Sequence, residues 1–401
     1  MADVRPEMEL LFAAARTQPD RAQVEALATQ ALDWDAVLRL AVRHEVPPLL
    51  YRNLAEIAPD RVPAPFLKKL RRFFHAHLRR AMLLASELSP LMERFEARGI
   101  PCVPFKGPVV AAMAYGDITL RPFGDLDVLV KSADVQAATE LLKENGFEEA
   151  LPMGAGTGKT ATWRLYLPFQ RPWENANGYI RDGGTDAQVP VDLHWGIAPR
   201  YFTYSLDPEA LWQRLQPLEV AGQTVRTFSP EDTLLHLCLH GTIHHWATLR
   251  LVCDVAEMIR SHPDLDWPWI FERARVLQSQ RMLRLALCLA DDLLAAPLPA
   301  AVRHYAIADP DVAALVQQVR HRFAGEGTPP VLDTYRLDLG MRDRRRDGLG
   351  AVFYHTWLAV RPSERDRAFV ALPDVLSPLY YAVRPVRVLA EKAGLTGRSK
   401  A

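Results

Sequence analysis

The sequence predicts an α/β protein of the α+β kind. A mixed-sheet core at residues 98–204 lies between an N-terminal helical domain, residues 1–97, and a C-terminal helical domain, residues 205–401. Three observations predict this. From about residue 6 to 97, apolar residues recur at three- and four-residue spacing, as in Val37, Leu40 and Ala41 and in Leu83, Leu84, Leu88 and Leu91. Between about 98 and 200, short apolar runs such as CVPF (102–105) and LDVLV (126–130) alternate with helical stretches, the pattern of an α/β core. After about 205 the helical period returns and persists almost to the end.

Each element has its own signal. Pro47, Pro48, Pro63 and Pro65 divide the first region into separate helices. In SADVQAATELLKENG, Ser132 is placed to cap a helix and Gly146 to end it. The run from 229 to 261 opens on Ser229 and Pro230 as cap and first-turn residue, with Glu231 and Asp232 suited to the positive end of a helix. Residues 323–350, rich in Gly, Pro and Arg, are expected to form a long connection. There is no internal repeat.

Composition limits the function classes. The 401 residues are 49% hydrophobic and 24% charged, in the range of ordinary globular proteins. Forty-eight basic residues balance 48 acidic ones, so no global charge calls for nucleic acid or an acidic membrane. The N-terminus lacks a secretory pattern, and no apolar stretch reaches the ~18–20 uncharged residues of a membrane span. Cys102, Cys238, Cys253 and Cys288 have no CxxC spacing and read as buried thiols in a reducing cytoplasm.

The stretch GAGTGKT, 154–160, suggests a phosphate-binding loop. That loop requires four residues between its first and second invariant glycines, and Gly154 and Gly158 enclose three. A helix should follow the lysine, yet Trp163, Leu165 and Leu167 alternate like a strand before Pro168. A turn between strands accounts for the letters, so Lys159 is not assigned to a nucleotide.

PFGDLDVLVK is more specific. Asp125 and Asp127, two apart on a predicted strand, project to one face, where their mutual repulsion favours a cation between them. Hard dications such as Mg²⁺ take such oxygen ligands and keep positions for substrate phosphates. VPVDLHW, 189–195, is a second strand-like run; its single acid, Asp192, becomes a third ligand if the strands are neighbours. Three acids on adjacent strands suit metal-assisted phosphoryl chemistry. Upstream, Lys106 and Gly107 lie at a strand-to-helix junction, where a lysine and backbone N–H groups meet phosphate, and Arg121 adds positive charge.

The order strand, glycine turn, helix, D-x-D and later Asp is similar to the DNA polymerase beta nucleotidyltransferase superfamily. More narrowly, F-K-G at 105–107, Y-G-D and R-P-F-G-D-L-D-V-L-V at 115–130, V-D-L-H-W at 191–195 and L-x-L-C-L-H-G-x-x-H-x-W resemble a bacterial family of uncharacterised nucleotidyltransferases. The resemblance covers roughly 30 to 260. It implies that Asp125, Asp127 and Asp192 are catalytic and bind Mg²⁺ or Mn²⁺, and that Gly107 occupies the superfamily's glycine turn. It further implies that an NTP, with ATP the expected donor, yields its nucleoside monophosphate to an acceptor with loss of pyrophosphate. Pro108 departs from the usual Gly-Ser or Gly-Gly and removes an N–H donor, for which Lys106 compensates by charge.

Histidines complete the candidates. His194 shares Asp192's strand face and either contacts the nucleotide or orients the aspartate. His236, His240 and His244 recur on one helical face; they offer a zinc-dependent hydrolase as a rival reading, or His240 lines the substrate pocket. The residues are also compatible with a catalytically inactive nucleotide-binding or regulatory module and with a helical scaffold. RDRRR, 342–346, reads as a solvated loop, and RPVRVLAEKAG as an ordinary packed helix. The acceptor is left open among a small molecule, a sugar phosphate, a peptide and a protein.

Overall fold

A computed structural model describes residues 5–150, 176–183, 188–198, 208–325, 331–344, 348, 350, 362 and 364–392. The GAGTGKT stretch with Lys159, together with Arg345 and Arg346, lies outside the described residues.

Five helices come first: α1 (Pro6–Ala14), α2 (Arg21–Ala28), α3 (Trp34–Arg43), α4 (Pro47–Ile57) and the long α5 (Ala64–Ala97). Proline opens α4 within its first turn, where no intrahelical N–H is needed. Asp33 caps α3 by accepting from the N–H groups of Asp35 and Ala36. The core then runs β1 (Cys102–Pro104), α6 (Pro108–Tyr115), β2 (Leu126–Val130), α7 (Val135–Glu144), β3 (Glu148–Glu149), β4 (Ala176–Asp182) and β5 (Gln188–His194).

The strands form one sheet in the order β1-β2-β5-β4-β3. β2 and β5 run parallel, whereas β1 on β2, β4 on β5 and β3 on β4 are antiparallel, so the sheet is mixed as the sequence predicts. Alternation gives each face its task. Leu126, Val128 and Val130 of β2 and Val189, Val191 and Leu193 of β5 pack against Leu84, Leu88 and Leu91 of α5 and Leu141 and Leu142 of α7. Asp127, Leu129, Asp192 and His194 therefore share the opposite face, where Leu129 meets Val103, Phe105 and Phe228.

Beyond the sheet follow α8 (Pro208–Gln213), the hairpin β6 (Gln216–Val220) and β7 (Gln223–Thr227), α9 (Pro230–Ile243), α10 (Leu249–Ser261), α11 (Trp267–Val276) and α12 (Gln280–Leu294). The last described helices are α13 (Ala300–Ile307), α14 (Pro310–Ala324), α15 (Val331–Gly340), α16 (Glu364–Phe369) and α17 (Tyr380–Lys392). Ser229 caps α9 by accepting from the N–H of Asp232, with Pro230 in the first turn, as expected. Ser132 does not cap a helix: it opens a short 3-10 turn, and its hydroxyl donates to the Trp195 carbonyl. Within the expected connection at 323–350, Val331–Gly340 is helical, because Leu337 and Met341 find a buried seat in the large helical core. Arg342, expected in a solvated loop, is instead buried and donates to Asp338 at 3.0 Å.

That core joins the two ends of the chain. Met8, Leu10, Leu11, Leu50 and Leu54 belong to the same cluster as Trp246, Val252, Leu285 and Phe323. No helix among the described residues is long and apolar enough to cross a membrane. All four cysteines are free, and burial raises the thiols of Cys102, Cys238 and Cys253 far above their ordinary range.

Candidate nucleotidyl-transfer site

The parallel pairing of β2 with β5 sets Asp127 directly beside Asp192, and Leu129 beside His194. Because paired residues of neighbouring strands project to one face, the two carboxylates and the imidazole stand together. One ligand atom from each of Asp127, Asp192 and His194 lies within 4.8 Å of the others, and among the described residues this is the group able to hold a metal ion. Asp127 Oδ1 accepts from Lys106 Nζ at 2.9 Å and is 2.9 Å from His194 Nε2. The Phe105 ring meets the His194 ring edge-on at 5.1 Å and fixes its plane.

Asp125 immediately precedes β2 instead of lying within it, so it is outside the convergent group. It nevertheless lines the same cavity, of about 430 Å³, with Lys106, Gly107, Arg121, Asp127, Asp192 and His240. Glu45, Pro122, Phe123, Gly124, His244 and Arg250 complete the wall. The sequence-predicted residues thus meet in one cleft, with His194 behind the aspartates.

Gly107 makes the turn possible. Its φ is +51°, and a Cβ there would stand 2.8 Å from the Asp125 carbonyl oxygen. A side chain would push apart the lysine-bearing turn and the approach to β2. Arg80 of α5 donates to the carbonyls of Gly124 and Gln188, tying the starts of β2 and β5 to one helix.

Electrostatics separate the acids. Burial, then Asp127 and Asp192, raise the Asp125 carboxyl to about 6. Burial also opposes ionisation of Asp127, but the Lys106 ammonium and the His194 hydrogen bond outweigh it and hold that carboxyl below the usual range. Burial and the neighbouring Asp127 raise Asp192. Burial, assisted by Lys106, lowers the His194 imidazole. An oxygen-rich group whose members repel one another fits a dication.

Arg121 also has partners within the protein. Its Nε and Nη2 donate to the two oxygens of Asp254 at 2.8 and 2.9 Å, and Nη1 reaches the Gly107 carbonyl at 3.4 Å. Its guanidinium is thus held by Asp254 and the glycine turn while the residue lines the cavity. Asp254 also accepts from the Tyr115 hydroxyl and from Arg250, which in turn donates to Glu45 at 2.6 Å. Glu45, Arg250 and Asp254 were not legible as site residues; the i,i+4 spacing of Arg250 and Asp254 on one helix is the only local signal.

The histidine stripe reaches the cleft without forming a metal group. The rings of His236 and His240 stack with centroids 6.0 Å apart, and those of His240 and His244 meet at 4.4 Å. His236 is buried against Phe105 and Phe228, while His240 and His244 line the cavity. Burial, followed by Lys106, lowers His236 and His240 well below the ordinary imidazole range. The group able to hold a metal ion among the described residues does not include the stripe.

A mixed sheet that presents carboxylates from two parallel strands beside a lysine-glycine turn has the layout of a nucleotidyltransferase core. The chain belongs to the family described as uncharacterised nucleotidyltransferase, whose family model matches residues 30–295. A crystal structure of an antigenic nucleotidyltransferase-like protein from Paracoccidioides brasiliensis is similar at 19% identity and a TM-score of 0.36, covering 55% of this chain and 96% of that one. No curated protein matches the chain.

Proposed function

We propose that the protein is a divalent-metal-dependent nucleotidyltransferase that moves the nucleoside monophosphate of an NTP, ATP as the first candidate, to an acceptor in the cytoplasm. The observation that carries this reading is the side-by-side placement of Asp127 and Asp192 on parallel strands, within one cavity that also holds Asp125 and Lys106.

Asp125, Asp127 and Asp192 would hold Mg²⁺ or Mn²⁺. The cation would neutralise phosphate charge and orient the triphosphate. Lys106 Nζ would move from Asp127 toward a phosphate oxygen, and the Gly107 turn would let the nucleotide approach the backbone. A carboxylate oxygen of Asp192 would take the proton of an acceptor hydroxyl as its oxygen bonds the α-phosphorus. The bond from the α-phosphorus to the bridging oxygen would break, and pyrophosphate would leave with the electron pair. Arg121 would act through Gly107, and His240 would line the substrate pocket. The acceptor is a small molecule, a sugar phosphate, a peptide or a protein, not nucleic acid.

Calorimetric titration of ATP, GTP, CTP and UTP, each with Mg²⁺ or Mn²⁺, tests this. The parent should bind one NTP only with metal, and the Asp125→Asn/Asp127→Asn double variant should not bind it while keeping its fold. Metal-independent binding, or equal binding by the double variant, would sink the reading.

A further inference from the structure

The cleft has a second wall. Lys106, Gly107, Asp125, Asp127 and Asp192 reach the cavity from the sheet core and its turns, whereas Glu45, His240, His244 and Arg250 reach it from the helical parts before and after that core. Glu45 follows α3, His240 lies in the last turn of α9, His244 follows that helix and Arg250 belongs to α10. Charge is balanced along this wall. Arg121 is paired with Asp254, and Arg250 donates to Asp254 at 3.1 Å and to Glu45 at 2.6 Å, so two guanidinium groups meet two carboxylates. Lys106, the remaining cation among the residues lining the cavity, shares it with three aspartates. An anionic nucleotidyl acceptor finds no excess positive charge there.

Glu45 stands out by its backbone. It has a φ of +58°, in the left-handed region where a helix end usually has glycine. A side chain kept in that strained conformation points to a role for the side chain itself. Its Oε2 accepts from Arg250, its Oε1 has no hydrogen bond among the described residues, and the side chain is 44% exposed. The rings of His240 and His244 touch each other and make no hydrogen bond among the described residues. Burial, then Lys106, lower both imidazoles, so each ring is neutral at pH 7 and keeps one accepting nitrogen. The wall therefore offers a carboxylate oxygen and two imidazoles to a molecule rich in hydrogen-bond donors.

We propose, resting on the reading of this cleft as a nucleotidyl-transfer site, that Glu45, His240 and His244 form its acceptor subsite and select an uncharged or cationic hydroxyl compound over a phosphorylated one. Glu45 Oε1 takes a hydroxyl or ammonium donor of that compound, and the imidazoles take further hydroxyl groups. Arg250 is a positioning residue: bonded to Asp254 on its own helix, it holds Glu45 Oε2 and leaves Oε1 for the ligand.

The test uses three probes that share one ring and differ in charge: glucosamine, glucose and glucose 6-phosphate. Each is titrated calorimetrically into the full-length chain, first loaded with Mg²⁺ and a non-hydrolysable analogue of the NTP it binds, then without nucleotide. The parent should bind glucosamine at least as tightly as glucose, and both at least about tenfold more tightly than glucose 6-phosphate. Glu45→Gln, whose amide oxygen still accepts from Arg250, should lose the preference for glucosamine over glucose and gain affinity for glucose 6-phosphate. Glu45→Gly, which relieves the left-handed strain, should stay folded by circular dichroism and bind glucosamine more weakly than the parent.

Glucose 6-phosphate bound as tightly as glucose overturns the proposal, as does an unchanged order of the three probes in folded Glu45→Gln. Binding of none of them at roughly 10 mM overturns it too. The two titrations separate this outcome from the functional reading. NTP binding with the order of probes reversed defeats the subsite alone. The expected order in a chain that binds no NTP supports the subsite and defeats nucleotidyl transfer.

Discussion

At the scale of single residues, Arg121 shows how far a side chain's role depends on partners distant in sequence. Read locally, an arginine four residues before Asp125 is a phosphate ligand. Folded, it is 3% exposed and doubly bonded to Asp254, a residue on α10. Removing Arg121 takes its charge-assisted hydrogen bonds from a buried carboxylate that Tyr115 and Arg250 still contact, at a cost of about 1.5–3 kcal/mol. Arg121→Met should lower stability toward urea by that order, while its folded fraction still binds metal-nucleotide. Unchanged stability with abolished binding would instead place Arg121 on the phosphates. The aspartates were legible because their signal is local: two acids in an apolar run, and one in another. His194 was legible as a neighbour of Asp192, but its 2.9 Å approach to Asp127 depends on the β2–β5 register.

At the scale of elements, α9 explains the L-x-L-C-L-H-G-x-x-H-x-W run. Its apolar and histidine positions follow the helical period, and the structure adds the reason for the glycine and the tryptophan. After α9 the chain turns back through His245 and Trp246, both at positive φ, and the Trp246 N–H donates to the Gly241 carbonyl. The Trp246 ring lies over Gly241, where an added Cβ would collide with it. Gly241→Ala should therefore strain the end of the helix that carries His240 and leads into His244, at a cost of about 1–3 kcal/mol as for other overpacked sites. Urea unfolding followed by tryptophan fluorescence reads that loss; a variant as stable as the parent would show that the turn is loose. The helix at Val331–Gly340 escaped sequence reading for the opposite reason: Gly, Pro and Arg around it mask a short apolar face that long-range packing rewards.

At the scale of the whole molecule, the three-part division at residues 97 and 204 follows sequence character, whereas packing ties the first and third parts into one core. His44 sits at that junction. It is fully buried, its Nδ1 accepts from the Leu249 N–H, and its ring meets Phe323 edge-on at 5.0 Å. Burial, reinforced by Arg43, lowers its pKa from 6.5 to about 4. A depressed histidine pKa means that the unfolded chain takes up the proton first. The stability it contributes is whole above pH 6.5, falls as pH drops toward 4 and then levels off, a loss of about 3 kcal/mol. His236 shifts in the same direction. Denaturation between pH 7 and 4 should show this decline, and His44→Gln should flatten part of it; identical slopes would exclude His44 as a source.

The parallel neighbours Asp127 and Asp192 also impose an order on the molecule's making. Parallel strands cannot be joined by a tight hairpin, and α7, β3 and β4 lie between these two in the chain. A nascent polypeptide that has emerged only as far as β4 already contains Asp125 and Asp127 but not their partner. Pairing across so long an interval is slow compared with closing a local turn. The carboxylate pair therefore cannot assemble until β5 has emerged, and a fragment released before Gln188 would carry the most legible motif of the chain without the partner that gives it meaning.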